Sequence, residues 1–237
     1  MKNLKNWDKK NWLSSANYIS SLIHFFEKKV KFSKRTKILD VGCGSGKIMS
    51  NLSRKYRMQN LPLGLDVVSH NNDSKKIRFI KIDALKYLSN TREKFDVIFF
   101  KQSIHFFKLT EIKKILKLSK KILHPKGKII ILALNAKKNH WPVFKAFKLK
   151  LLKSFKKDQI ILKLIKFSFK EYKIGYFVYK VNMTRVSYLQ MIKNRFTSCL
   201  LNFSSKELKI GKKEITEKYA KKLLFYDRLI CIIYKKK

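Results

Sequence analysis

The chain predicts an α/β fold: a doubly wound, seven-stranded sheet whose last strand is antiparallel, with a helical cap inserted after the fifth strand. Three observations carry this. Short apolar runs alternate with amphipathic helical stretches as far as Leu134. A glycine-rich turn, Gly42-Cys-Gly-Ser-Gly46, closes the first run and opens a helix. The second half breaks the rhythm but ends on Leu223–Tyr234, a run too apolar for an exposed edge.

Taken in order, Leu13–Val30 has the spacing of an amphipathic helix. Lys37–Val41 is a buried parallel strand, followed by a helix over Lys47–Tyr56. Leu61–Asp66 is the second strand. Ile77–Ile82, where apolar and basic residues alternate, is the third, and the short gap between them leaves little room for a helix. Phe95–Phe100 is the fourth strand. Thr110–Leu123 is a helix stopped by His124-Pro-Lys-Gly127, and Lys128–Leu134 is the fifth strand. Trp141–Lys170 is a basic helical stretch, placed as a cap over the active end of the sheet. Tyr176–Met183 reads as a strand, and Ser187–Arg195 and Ser205–Lys221 as helices. The expected organisation is one domain over 1–237, with the cap at about 137–170 and the remaining strands and helices at 174–237.

Composition narrows the function. Hydrophobic residues make up 45%, so the chain can bury a core. No apolar run reaches the roughly 18 residues of a membrane helix, and no apolar segment follows the basic N-terminus, so neither a transmembrane segment nor a secretory signal is expected. Cys43, Cys199 and Cys231 are odd in number and far apart, which fits a reducing cytoplasm rather than disulfides or zinc. The histidines lack metal-ligand spacing, and no metal is expected. The net charge of +42 suggests a polyanionic partner. However, only eight of the 57 basic residues are arginines, the residue suited to bidentate phosphate contacts. Lys, Ile, Asn, Phe and Tyr share A/T-rich codons, so genome composition accounts for much of the lysine, though not for a mere 15 acids.

The residues that carry chemistry lie at strand ends. Glycines in the turn permit positive φ and let a ligand approach the backbone at a helix N-terminus. Asp66, ending Leu63-Gly-Leu-Asp66, can accept two hydrogen bonds from ribose hydroxyls. Phe79-Ile-Lys-Ile-Asp-Ala84 ends the third strand on another acid.

Asp40-Val-Gly-Cys-Gly-Ser-Gly46 resembles the first motif of the class I S-adenosylmethionine-dependent methyltransferases, a Rossmann-like family. The resemblance implies S-adenosyl-L-methionine as cofactor. Asp40 would face its methionine end through water, Gly42, Gly44 and Gly46 would line the turn, and Asp83 with Ala84 would meet the adenine. Phe95–Phe107, with Gln102-Ser-Ile-His-Phe106, resembles the fourth-strand motif of the small-molecule enzymes, so Lys101 and Gln102 would border the methionine moiety through backbone atoms. Leu123-His-Pro-Lys-Gly127 resembles their next turn, with Lys126 where a glycine is usual. The type-11, trans-aconitate-methyltransferase-like subgroup is the nearest match. There a helix bearing Arg and Ser follows the sixth strand, and Asn194-Arg-Phe-Thr-Ser198 occupies a comparable place, making Arg195 a candidate substrate contact. His105 is the one candidate acid or base, with a structural role beneath the cofactor as the competing reading. No Asn/Asp-Pro-Pro-Tyr/Phe follows the fourth strand and no Pro-Cys occurs, so adenine or glutamine amino methylation and cysteine-nucleophile C5 chemistry lack their residues. The expected function is methyl transfer to a small metabolite acceptor, a carboxylic acid by the subgroup's precedent. The alternatives are an RNA methyltransferase and a non-catalytic S-adenosylmethionine-binding subunit.

Overall fold

The computed structural model describes residues 11–70, 75–135 and 138–237. Its seven strands are β1 (Ile38–Val41), β2 (Leu63–Asp66), β3 (Arg78–Lys81), β4 (Phe95–Lys101), β5 (Leu123–Leu134), β6 (Lys173–Thr184) and β7 (Lys222–Lys235). They form one sheet in the order β3-β2-β1-β4-β5-β7-β6. β1 to β5 pair in parallel, and β7 runs antiparallel to both β5 and β6. The doubly wound, Rossmann-like sheet with an antiparallel last strand is therefore as expected. β7 is an interior strand, which is why it can be apolar on both faces.

Among the described residues seven α-helices accompany the sheet: α1 (Ala16–Glu27), α2 (Lys47–Lys55), α3 (Ala84–Asn90), α4 (Leu109–Lys121), α5 (Lys145–Ser168), α6 (Arg185–Lys193) and α7 (Ser205–Lys218). Side chains alternate across the strands and feed two cores. Ile38, Val97, Phe99, Ile130 and Leu132 face the layer of α1, α2, α6 and α7. Leu39, Ile98, Phe100, Ile129 and Ile131 face the layer of α3 and α4. Both faces are covered, so the central strands read as continuous apolar runs rather than alternating ones.

α5 joins the two layers. Phe147 and the preceding Phe144 belong to the first core, and Ile161, Ile165 and Phe169 belong to the second. A helix of 24 residues is about 36 Å long, enough to cross the edge of a sheet and reach both sides. Two local features differ from expectation. α3 occupies a stretch given no helix above, with Asp83 capping its first turn. The His124-Pro-Lys-Gly127 stop lies inside β5, because Phe95 pairs with Leu123 before a register shift and Lys126 takes a left-handed φ of 62°.

Candidate active site

β1 and β4 are neighbours although β1 connects first to β2, so the sheet's topological switch point lies between them. Ligands of open α/β sheets bind beyond the strands' C-terminal ends at this point. There the chain leaves Val41 through Gly42, Gly44 and Gly46 at φ of 74°, 55° and 68°. A Cβ on Gly42 would lie 2.4 Å from Ser103 Cβ, so no side chain fits. A Cβ on Gly44 would meet nothing within 4 Å; that backbone faces open space. The amides of Gly42 and Cys43 donate to Leu65 O, tying the turn to β2.

The three acids differ in environment. Asp40 is buried, lines the cavity, and has an Oδ1 with no partner among the described residues. Burial lifts its carboxyl to about 7, opposed by nearby Lys101 and reinforced by Asp66. Asp66 receives the Gly44 amide at 2.9 Å on Oδ2 and the Val68 amide at 3.0 Å on Oδ1. Burial pushes it up too, but these bonds and His70, whose Nε2 lies 3.8 Å from Oδ1, outweigh burial and hold it below the usual carboxylate range. Asp83 is exposed and accepts from the Lys86 amide at 2.9 Å, while Ile82 and Ala84 on either side of it line the cavity.

Lys101 and Gln102 line the same cavity, which encloses about 1250 Å³ with its mouth included. Gln102 holds a left-handed φ of 53°, an uncommon conformation for a side-chain-bearing residue, with its amide bonded to Leu132 O. Lys101 lies over the Tyr18 ring, 5.5 Å from its centroid. The Tyr18 hydroxyl donates to Asp227, a fully buried acid on β7 that burial raises to about 6 against the pull of Lys101. Tyr18, Asp227, His70 and the wall made by Leu13, Ser14 and Ile19 had no local signal in the sequence.

A second cavity, of about 790 Å³ with the open solvent at its mouth included, adjoins the first and shares Leu13, Gln102 and Phe106 with it. Trp141, Phe196, α5 and the segment Thr197–Cys199 line it. His105 lies here, its ring against Phe106 with centroids 4.2 Å apart, and its ring nitrogens make no hydrogen bond among the described residues. Burial, then Lys157, depress it to about 4, so the imidazole is neutral at physiological pH. Arg195 does not line either cavity. Its Nη2 donates to Phe203 O at 2.9 Å, securing the turn between α6 and α7.

Residues 39–131 match a family described as a methyltransferase domain. That stretch contains the glycine-rich turn, Asp40, Asp66 and Lys101. Among solved structures, the plantazolicin methyltransferase BpumL, bound to a desmethyl-plantazolicin analogue and S-adenosylhomocysteine, is 18% identical with a TM-score of 0.54; the match covers 100% of this chain and 90% of that one. A protein assigned as a methyltransferase of an antibiotic biosynthesis pathway in Anabaena variabilis is 13% identical, with a TM-score of 0.65 over 89% and 95% of the two chains. The (4+2) cyclase SpnF is 12% identical, with a TM-score of 0.52 over 91% and 80%. At these identities the likeness is one of fold. No curated protein matches this chain in sequence. Among the described residues, no helix is long and apolar enough to cross a membrane, and no group of His, Cys, Asp or Glu could hold a metal.

Proposed function

We propose that the chain transfers methyl from S-adenosyl-L-methionine to a small metabolite held in the second cavity. The observation that carries this is the adjacency of the two cavities: the first has the polar groups a methionine-bearing nucleoside needs, and the second offers a concave space beside it. The residues fit the cofactor. Asp40 brings an unpartnered buried oxygen to the ammonium end. Asp66, kept ionised, has lone pairs left for the ribose diol. Gly44 leaves the backbone open to close approach. Ile82 and Ala84 flank the adenine end, with Asp83 at its rim.

The bound sulfonium supplies an electrophilic methyl group. The protein's part is to hold the acceptor atom in line and exclude water, which can supply much of the rate without a strong base. His105 is neutral and borders the acceptor, so it can accept a hydrogen bond from it. Its low affinity for protons makes it a positioning group rather than the principal base. A non-catalytic binder has no use for a second cavity beside the donor, and the aromatic walls supplied by Trp141 and Phe196 suit a small acceptor. The cavity walls do not support a carboxylic acid as acceptor, since neither Arg195 nor any lysine is among them. The three unpaired cysteines support a cytoplasmic site of action.

Calorimetry should detect binding of S-adenosylmethionine and S-adenosylhomocysteine but not NAD. Asp66→Ala should weaken that binding by roughly 1.5–3 kcal/mol, the worth of hydrogen bonds to a charged group. Methyl transfer from labelled cofactor should appear with a metabolite pool. NAD binding alone, or transfer to RNA alone, would overturn the reading.

A further inference from the structure

The second cavity runs against the charge of the chain that builds it. Of 237 residues, 57 are Lys or Arg and 15 are Asp or Glu. Among the residues lining this cavity there is no Lys or Arg, and there is one carboxylate, Asp158 on α5. The adjacent Lys157 is engaged elsewhere, donating its Nζ to His105 O at 3.0 Å. The Asp158 carboxyl accepts no hydrogen bond among the described residues. The walls around it include Trp141 and Phe196, whose ring centroids lie 5.9 Å apart. A concave aromatic site holding one unpartnered carboxylate favours a cation, by charge pairing and by the attraction of cations to aromatic faces, and disfavours an anion.

We infer that the acceptor is a small amine, held as its ammonium by Asp158 against Trp141 and Phe196, and that its nitrogen takes the methyl group. This rests on the methyl-transfer reading above and names its substrate class. The step balances as follows. A proton passes from the ammonium nitrogen to an Asp158 oxygen. The freed lone pair forms the N–C bond while the C–S bond of the sulfonium donor breaks, its electron pair remaining on sulfur. The products are an ammonium with one more methyl and a thioether, and Asp158 returns its proton to solvent. Burial already raises Asp158 to about 6, against the pull of Lys157, so it takes a proton more readily than an ordinary carboxylate. The neutral His105 adds no positive charge to repel the ammonium.

Benzylamine, benzyl alcohol and benzoate are matched in shape and differ in charge. Calorimetry on the full chain saturated with S-adenosylhomocysteine should show benzylamine binding about tenfold or more tightly than benzoate, equivalent to about 1.4 kcal/mol. Asp158→Asn should abolish that preference while leaving S-adenosylhomocysteine affinity unchanged, and Asp158→Lys should invert it. Benzoate binding as well as benzylamine to the unmodified chain, no benzylamine binding, or a preference that survives Asp158→Asn overturns the inference. Each of these leaves the methyl-transfer reading intact provided S-adenosylhomocysteine binds; if it does not, both readings fall.

Discussion

Asp40 is a carboxylate kept from water with one oxygen unpartnered, and that condition has a measurable cost. Its folded-state value, about 7, lies above the ordinary carboxylate value near 4. The folded chain therefore holds a proton that the unfolded chain releases. Below about pH 4 both states are protonated and Asp40 is neutral in its effect; stability then falls as pH rises toward 7, by on the order of 4 kcal/mol for a shift of this size. Asp40→Asn should accordingly stabilise the free protein at pH 8 in urea titrations while weakening S-adenosylhomocysteine binding. Near pH 6 the unmodified chain should release protons as the ligand's ammonium arrives, seen as a binding heat that varies with buffer ionisation enthalpy. A variant less stable at pH 8, or heats independent of buffer, would contradict this. Asp40, Asp66 and the glycines were legible in the sequence because short-range spacing fixes them at strand ends. Tyr18 and Asp227 were not, since their contact joins positions 209 apart. Asp158 is one polar residue in a lysine-rich helix until the fold brings it to the wall of the second cavity, near Cys199. Arg195 drew attention by its rank in the motif, and its guanidinium serves the backbone of Phe203 instead.

At the scale of elements, the strands were legible because burial on both faces writes unbroken apolar runs, and the order of β7 and β6 was not, because pairing is set by tertiary contact. α3 is too short, at seven residues, to write a clear helical period, and its cap Asp83 stands in a motif that resembles an adenine contact. The lid over the acceptor cavity depends on how α5 meets α7. Gly211 of α7 packs on Phe144 at the start of α5, and a Cβ there would lie 2.5–2.6 Å from three ring atoms. Phe144 is buried and held by Phe147 and Phe203, with centroids 5.7 and 5.3 Å away, so the ring cannot swing aside without disturbing both. Alanine gains about 1 kcal/mol of helix propensity over glycine, whereas overpacking a close-packed contact costs about 1–3 kcal/mol. With the ring held on both sides the cost lies toward the upper end of that range, and Gly211→Ala should lower stability by up to about 2 kcal/mol in denaturant titrations. Adding Phe144→Leu, which vacates ring volume, should recover part of the loss. A Gly211→Ala variant more stable than the parent would mean that the two helices have room to separate.

For the whole molecule the governing quantity is a net charge of +42 on 237 residues. Ion pairs such as Lys55–Glu27, Arg78–Glu93 and Lys237–Glu171 use up acids that are already few, and 15 acids cannot neutralise 57 basic residues. Such self-repulsion opposes the compact state, because unfolding lets like charges move apart. Salt screens it, with a Debye length falling from about 30 Å at 0.01 M to about 8 Å at 0.15 M. The free chain should therefore melt at a higher temperature in about 0.15 M than in about 0.01 M sodium chloride, with most of the gain complete once the Debye length is shorter than the spacing of surface charges. The same step should weaken non-specific RNA binding steeply, since that binding rests on counterion release. The two effects separate the explanations of the lysine excess. Lysines dispersed over every solvated face by genome composition give a melting temperature that climbs with salt and RNA binding that vanishes. A dedicated polyanion site gives RNA binding that persists at 0.15 M salt and a protein that RNA stabilises there. Melting curves with and without RNA at the two salt concentrations decide between them, and the cavity lined by α5 and Trp141 leads us to expect the first result.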